Sequence, residues 1–179
     1  MDHFESILAT LLEAENYWVR RSYKVELTKE EKRDAGKPSM PRPEIDLLAF
    51  NLKVNEIILF EAKSYLDSRG VALADLQEQH QTPTGRYKIF TCDKYRQIVF
   101  KRIQIQLIEQ GMADVKTTFK LGLAAGNIRK NDSDPIRQHM TTRGWLFWSP
   151  EDIKHKVETQ AERGYENDPA IITAKILMR

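Results

Sequence analysis

Apolar residues recur along residues 3–15 at intervals of three and four, at Phe4, Ile7, Leu8, Leu11 and Leu12. That spacing predicts an amphipathic helix, and Asn16 is a plausible stop for it. From Tyr17-Trp18-Val19 to Val25-Glu26-Leu27 the pattern becomes strand-like. Residues 28–43 are polar and carry Gly36, Pro38, Pro41 and Pro43, which predicts a loop with one helical turn near residues 29–33. Two apolar runs follow, Leu47-Leu48-Ala49-Phe50 and Ile57-Ile58-Leu59-Phe60, with the polar stretch Asn51-Leu52-Lys53-Val54-Asn55 between them. They predict a strand, a short hairpin connection and a second strand. The second run is apolar on both faces, as a strand covered on both sides would be.

Beyond a turn at Asp67-Ser68-Arg69-Gly70 the pattern gives a short helix at about 71–80, broken at Thr82-Pro83-Thr84-Gly85. Residues 93–110 form the longest helical stretch, with Tyr95, Ile98, Val99, Ile103, Leu107 and Ile108 to one side and Gly111 beyond the end. A fourth strand is expected at 119–125, a helix from Asp134 to about 142 and a short strand at 144–148. Ser149-Pro150-Glu151-Asp152 is a strong helix start, with a capping hydroxyl, proline at the first helical position and acids in the first turn. A last helix covers about 168–178. The expected fold class is α/β, a mixed sheet of about five strands flanked by helices. Residues 1–148 would form the core domain and residues 149–179 a helical appendage packed on it.

This frame brings three charged residues together. Glu61 and Lys63 sit two apart at the end of the covered strand, so both project to one face, roughly 7 Å apart. An antiparallel neighbour lies about 4.7–4.9 Å away, close enough to bring Asp46 beside Glu61. Glu-x-Lys on an exposed strand is ordinarily a weak surface ion pair. At the end of a strand buried on both faces, however, such charges need a partner, a wet cleft or a metal ion. Two acids that share a divalent cation, with an ammonium beside them, is the arrangement expected here.

Composition narrows the choice. The 179 residues are 41% hydrophobic and 30% charged, an ordinary soluble composition able to bury a substantial core. The start, Met1-Asp2-His3-Phe4-Glu5, lacks a signal-peptide pattern, and the cytoplasm is the expected location. A single cysteine, Cys92, excludes an internal disulfide and a Cys-rich zinc site. His3, His80, His139 and His155 are dispersed without metal-ligand spacing. Gly122, Gly126 and Arg129-Lys130 do not make a phosphate loop, because the glycine spacing and its lysine are missing. Net charge is only +2, yet residues 86–130 hold ten Lys and Arg against three Asp and Glu. A basic segment beside an acidic metal site suits a phosphodiester substrate, although such residues also serve simply to solvate long helices. Trp18, Trp145 and Trp148 are candidates for stacking on bases, with core burial favoured for Trp18 and Trp145.

The order helix, three-stranded meander, helix, strand, with Asp on the second strand and Glu-x-Lys on the third, resembles the PD-(D/E)xK nucleases of restriction-endonuclease-like fold. The segments Phe4-Glu5, Leu11-Leu12-Glu13, Tyr17-Trp18-Val19, Glu-Ile-Asp-Leu-Leu-Ala at 44–49 and Glu-Ala-Lys-Ser at 61–64 are similar to the Holliday-junction-resolvase and Mrr-like branch. The resemblance covers about residues 3–80. Pro43 and Asp46 are separated, so the proline–aspartate adjacency is absent, and no Gln-x-x-x-Tyr element follows Lys63. The resemblance implies a Mg²⁺-dependent DNA nuclease, an endonuclease, with Mn²⁺ able to substitute. Asp46, Glu61 and the backbone carbonyl of Ala62 would hold the metal. Lys63 would orient or deprotonate the attacking water or stabilise charge on the phosphate, and Glu5 would join from the first helix. DNA, duplex or branched, would be the partner, with no membrane and with a homodimer possible because one active site cuts one strand. Two alternatives stand beside this reading: a non-catalytic DNA-binding module that keeps the nuclease fold, and an interaction protein that uses its helices after residue 150.

Overall fold

The computed structural model describes residues 2–164 and 167–179. Helix α1 (His3–Ala14) is capped by the Asp2 carboxylate, which accepts from the Phe4 N–H, and the chain turns away at Asn16, held at φ +67°. Strand β1 (Trp18–Lys24) leads through α2 (Lys29–Asp34) to the hairpin of β2 (Glu44–Asn51) and β3 (Glu56–Lys63). Three helices, α3 (Leu73–Gln77), α4 (Lys88–Thr91) and α5 (Asp93–Glu109), cross over to β4 (Thr118–Ala125). The chain then runs through α6 (Ser133–Thr142), β5 (Leu146–Trp148), α7 (Pro150–Glu162) and α8 (Pro169–Leu177). The result is an α/β fold around one open sheet in the order β1-β2-β3-β4-β5. The first three strands form an antiparallel meander, whereas β4 joins β3, and β5 joins β4, in parallel.

The covered strand anticipated at 57–60 is the middle strand of the sheet, and its four apolar residues are all buried. On one face Leu48, Phe50, Ile57, Leu59, Leu121 and Leu123 pack against Tyr95, Val99, Ile103 and Leu107 of α5 and Ile136 and Met140 of α6. On the other, Leu47, Ala49, Ile58, Phe60 and Ala124 meet Phe4, Leu8, Leu11 and Leu12 of α1 and Ile153 of α7. The period of two along the strands thus assigns each apolar residue to one of two cores. The Ser149 cap is present as a full capping box with Asp152. Helix α7 also meets α1 through the Lys156–Glu15 ion pair, and Lys156 lies over the Trp148 ring. Among the described residues no helix is long and apolar enough to cross a membrane.

Three local expectations change. The helix expected over 71–80 is shorter: Val71 and Ala72 are extended, Val71 bridging to Ile128, and only Leu73–Gln77 is helical. Trp18, expected in the core, is 73% exposed. It opens an edge strand, and α5, which covers that face, ends at Glu109, so Trp18 borders a surface hollow with Phe50, Leu52 and Met112. Ile108 at the end of α5 is likewise exposed, at 38%.

Candidate metal and phosphodiester site

The site forms where the sheet's pairing lapses. Antiparallel pairing of β2 with β3 runs from Asn51↔Glu56 to Leu47↔Phe60, and the next positions in that register are Asp46 and Glu61. On the other side, β1 pairs Arg21 with Leu47 and Tyr23 with Ile45, skipping Ser22 opposite Asp46. Ser22 stands at φ +50°, a left-handed conformation that breaks the ladder at this point. Asp46 therefore lies at a gap in both ladders. Its own carboxylate fills part of the gap: Oδ2 accepts the Ala62 N–H at 2.7 Å. A side chain thus takes the place of a strand carbonyl and holds the Glu61–Ala62–Lys63 backbone against β2.

Strand alternation puts Asp46 on the face of Leu48 and Phe50, and Glu61 and Lys63 on the face of Ile57 and Leu59. The three converge. Lys63 Nζ pairs with Glu61 Oε1, and the two side chains are only 16% and 17% exposed. Beside them in the parallel register are the apolar Leu123 and Ala125. Burial pushes the Glu61 carboxyl above its ordinary value; the charge of Asp46 adds to this and Lys63 opposes it. Burial likewise raises Asp46, against the Ala62 hydrogen bond and the Lys63 charge, while Glu44 and Asp2 push it further up. For Lys63 burial alone would favour the neutral amine, but Glu61 and then Asp46 more than offset it and raise its pKa. Two carboxylates raised by burial share one neighbouring ammonium, which leaves this group of side chains short of positive charge.

Those features suit a hard divalent cation in a limited way. Mg²⁺ takes one or two protein carboxylates and completes its shell with water and substrate oxygens. Asp46 and Glu61 meet that minimum, and the Ala62 peptide, already tied to Asp46, adjoins both. Glu5 stands apart from the pair. It lies on α1, which packs on the opposite face of the sheet, and no hydrogen bond or ion pair joins it to Asp46 among the described residues. Burial raises its pKa first and the charge of Asp46 second, so it feels the site without touching it. Among the described residues no three His, Cys, Asp or Glu side chains are close enough to hold one ion.

The surroundings include residues that the sequence did not single out. Burial raises the phenols of Tyr95 and Tyr87; the Glu61 charge adds to Tyr95, and Tyr65, Asp75 and lastly Glu61 add to Tyr87. Lys88 lies over the Tyr95 ring and acts on Glu61. Just past Lys63 the chain is pinned to the end of β4. The Lys63 carbonyl accepts from Gly126 N at 2.8 Å, and the Asn127 amide donates to the carbonyls of Tyr65 at 3.2 Å and Ser68 at 2.8 Å. A Cβ on Gly126 would lie 2.5 Å from the Ser64 carbonyl oxygen, so only glycine permits this approach.

The basic segment is partly committed to the fold. Arg102 makes a forked pair with Glu31 of α2, at 2.8–3.0 Å. Arg96 binds Asp93 and the Ile89 and Phe90 carbonyls and lies over Trp145. Of the histidines, His80 pairs with Glu78, and His139 packs against Trp145.

No protein-family model, curated protein or solved structure matches this chain.

Proposed function

We propose that the chain is a metal-dependent nuclease, an endonuclease acting on DNA, whose catalytic centre is Asp46, Glu61 and Lys63 on a restriction-endonuclease-like core. One observation carries the reading: a carboxylate bonded to the backbone of the Glu-x-Lys strand lies beside a half-buried Glu–Lys pair at a break in the sheet. A structural ion pair needs only Glu61 and Lys63. The second buried acid worsens the electrostatics of the empty protein, and a cation shared by both acids would repair them.

In this reading Asp46 and Glu61 hold Mg²⁺, or Mn²⁺ in its place, with the Ala62 carbonyl as a third donor. The ion, when bound, would supply a Lewis acid and an activated water. Lys63, fixed by Glu61, presents an ammonium to the charge that builds on the phosphorus oxygens during attack. Asp46 also orients the Ala62 peptide, and Glu5 adds negative potential from α1. Basic residues of the middle segment with no ion pair among the described residues, Lys94 and Lys101 on α5 among them, give the DNA backbone positive charge to approach. The compartment that goes with this chemistry is the cytoplasm, where Mg²⁺ is abundant and a free thiol such as Cys92 stays reduced.

The test is cleavage of labelled duplex, single-stranded and branched DNA, and of RNA, in Mg²⁺ or Mn²⁺ against EDTA. Wild-type protein should cut in metal alone, with Asp46→Asn and Lys63→Ala reduced at least about 100-fold, as for loss of a transition-state electrostatic contact. Equal behaviour of the three proteins would end the proposal. Salt-sensitive binding without cleavage would favour the non-catalytic DNA-binding alternative.

A further inference from the structure

Next to the catalytic end of β3 opens a cleft of about 450 Å³, bounded by Ser64 and Tyr65 after Lys63, by the start of α1 and by Arg86. Two features there are unexplained by folding alone. Tyr65 holds φ +47°, a left-handed backbone that a bulky residue adopts at some cost, and Asn127 keeps it so by bonding its carbonyl. Its hydroxyl accepts from Arg86 Nη1 at 3.3 Å, and the guanidinium lies 5.8 Å from its ring centroid. Arg86 is exposed and has no carboxylate partner among the described residues, unlike Arg42, Arg96, Arg102 and Arg137. A strained tyrosine two residues beyond the proposed catalytic lysine, and against it a guanidinium with no carboxylate partner among the described residues, are the parts of a binding subsite.

We propose that Arg86, steadied by Tyr65, is a phosphate-binding residue that receives a backbone phosphate neighbouring the bond to be cut. This rests on the nuclease reading and extends it. A guanidinium offers forked donors that match a phosphate, and only one of its nitrogens is engaged by Tyr65. Asp2 and Asp67 line the same cleft, so a free anion meets repulsion there. A DNA strand, gripped at several phosphates and at the metal, overcomes it. Arg86 is therefore a residue for strand placement, and Tyr65 a positioning residue acting through it.

The experiment measures binding of a labelled 30-base-pair duplex by anisotropy across a KCl series, with each variant in the Asp46→Asn background to prevent cutting. Arg86→Ala should weaken binding about 10-fold and lower the slope of log affinity against log salt by about one, the signature of one lost phosphate contact. Arg86→Lys should keep the slope and lose part of the affinity, because it keeps charge without the fork. Tyr65→Phe should fall between Arg86→Ala and the parent. With Asp46 intact, Arg86→Ala should raise KM and leave kcat near wild type. Inorganic phosphate in millimolar amounts should not displace the duplex through Arg86. An unchanged affinity and slope for Arg86→Ala, in a protein whose parent binds and cuts DNA, would overturn this inference alone. A wild type that neither binds nor cuts nucleic acid would overturn it together with the nuclease reading.

Discussion

Asp46 is both a buried charge and a backbone clamp, and the two roles can be separated. Asparagine keeps an oxygen to accept the Ala62 N–H and removes the charge that crowds Glu61. The folded-state pKa values of Asp46 and Glu61 lie above their unfolded ones, so the native state holds protons more tightly. Their contribution is fully present below the unfolded values and is lost as pH rises through the folded ones. In EDTA, the wild type should therefore lose melting temperature from mildly acidic to neutral pH. Asp46→Asn should melt higher than wild type at pH 7.5, at about 2–4 °C per kcal/mol for a chain of this size, and show a shallower decline. A scan across pH 4–8 that shows Asp46→Asn below wild type throughout would refute this. At Gly126 a methyl group meets the Ser64 carbonyl and Phe4. Gly126→Ala should destabilise by about 1–3 kcal/mol and displace the chain after Lys63, lowering cleavage more than Ala substitution at an exposed residue such as Lys53. Unaltered melting and turnover would show that the loop tolerates the shift.

Elements were legible from the sequence where burial and periodicity agree. The run at 57–60 announced the middle strand, and the Ser149 box announced α7. Helix α4 was not visible, because one turn containing Ile89 and Phe90 has no period to detect. The lapse in pairing at Asp46 was also hidden, since it depends on the left-handed Ser22 of another strand. Asp46, Glu61 and Lys63 could be brought together from strand spacing alone, whereas the relation of Glu5 to them depended on which face α1 covers. Tyr65 and Arg86 left no signal, because Asn127 of another loop sets the Tyr65 backbone and Arg86 reaches it from twenty-one residues away. Helix α5 gives a sharp test of this level. Its pattern offers Ile103 and Ile108 alike, but Ile103 is fully buried and Ile108 lies beyond the covered face. Ile103→Ala should cost about 2–5 kcal/mol and Ile108→Ala less than about 1 kcal/mol in urea unfolding. Equal losses would mean that the C-terminal end of α5 is packed as tightly as its middle.

For the molecule as a whole, charge and sheet topology point to one end. The meander delivers Asp46 and Glu61 to the same end of the sheet, β4 supplies apolar neighbours beside them, and the loop after β3 carries Tyr65 to the adjoining cleft. Internal pairs absorb Arg96 and Arg102, so the basic excess of residues 86–130 overstates the charge free to meet DNA. Binding should accordingly depend on salt through a few phosphate contacts rather than ten. The central claim is that Asp46 and Glu61 share a divalent ion. Crystals soaked in Mn²⁺ test it directly. The account predicts an anomalous peak within coordination distance of both carboxylates, lost in Asp46→Asn crystals. Manganese bound elsewhere, or absent while both side chains remain ordered as described, would contradict it.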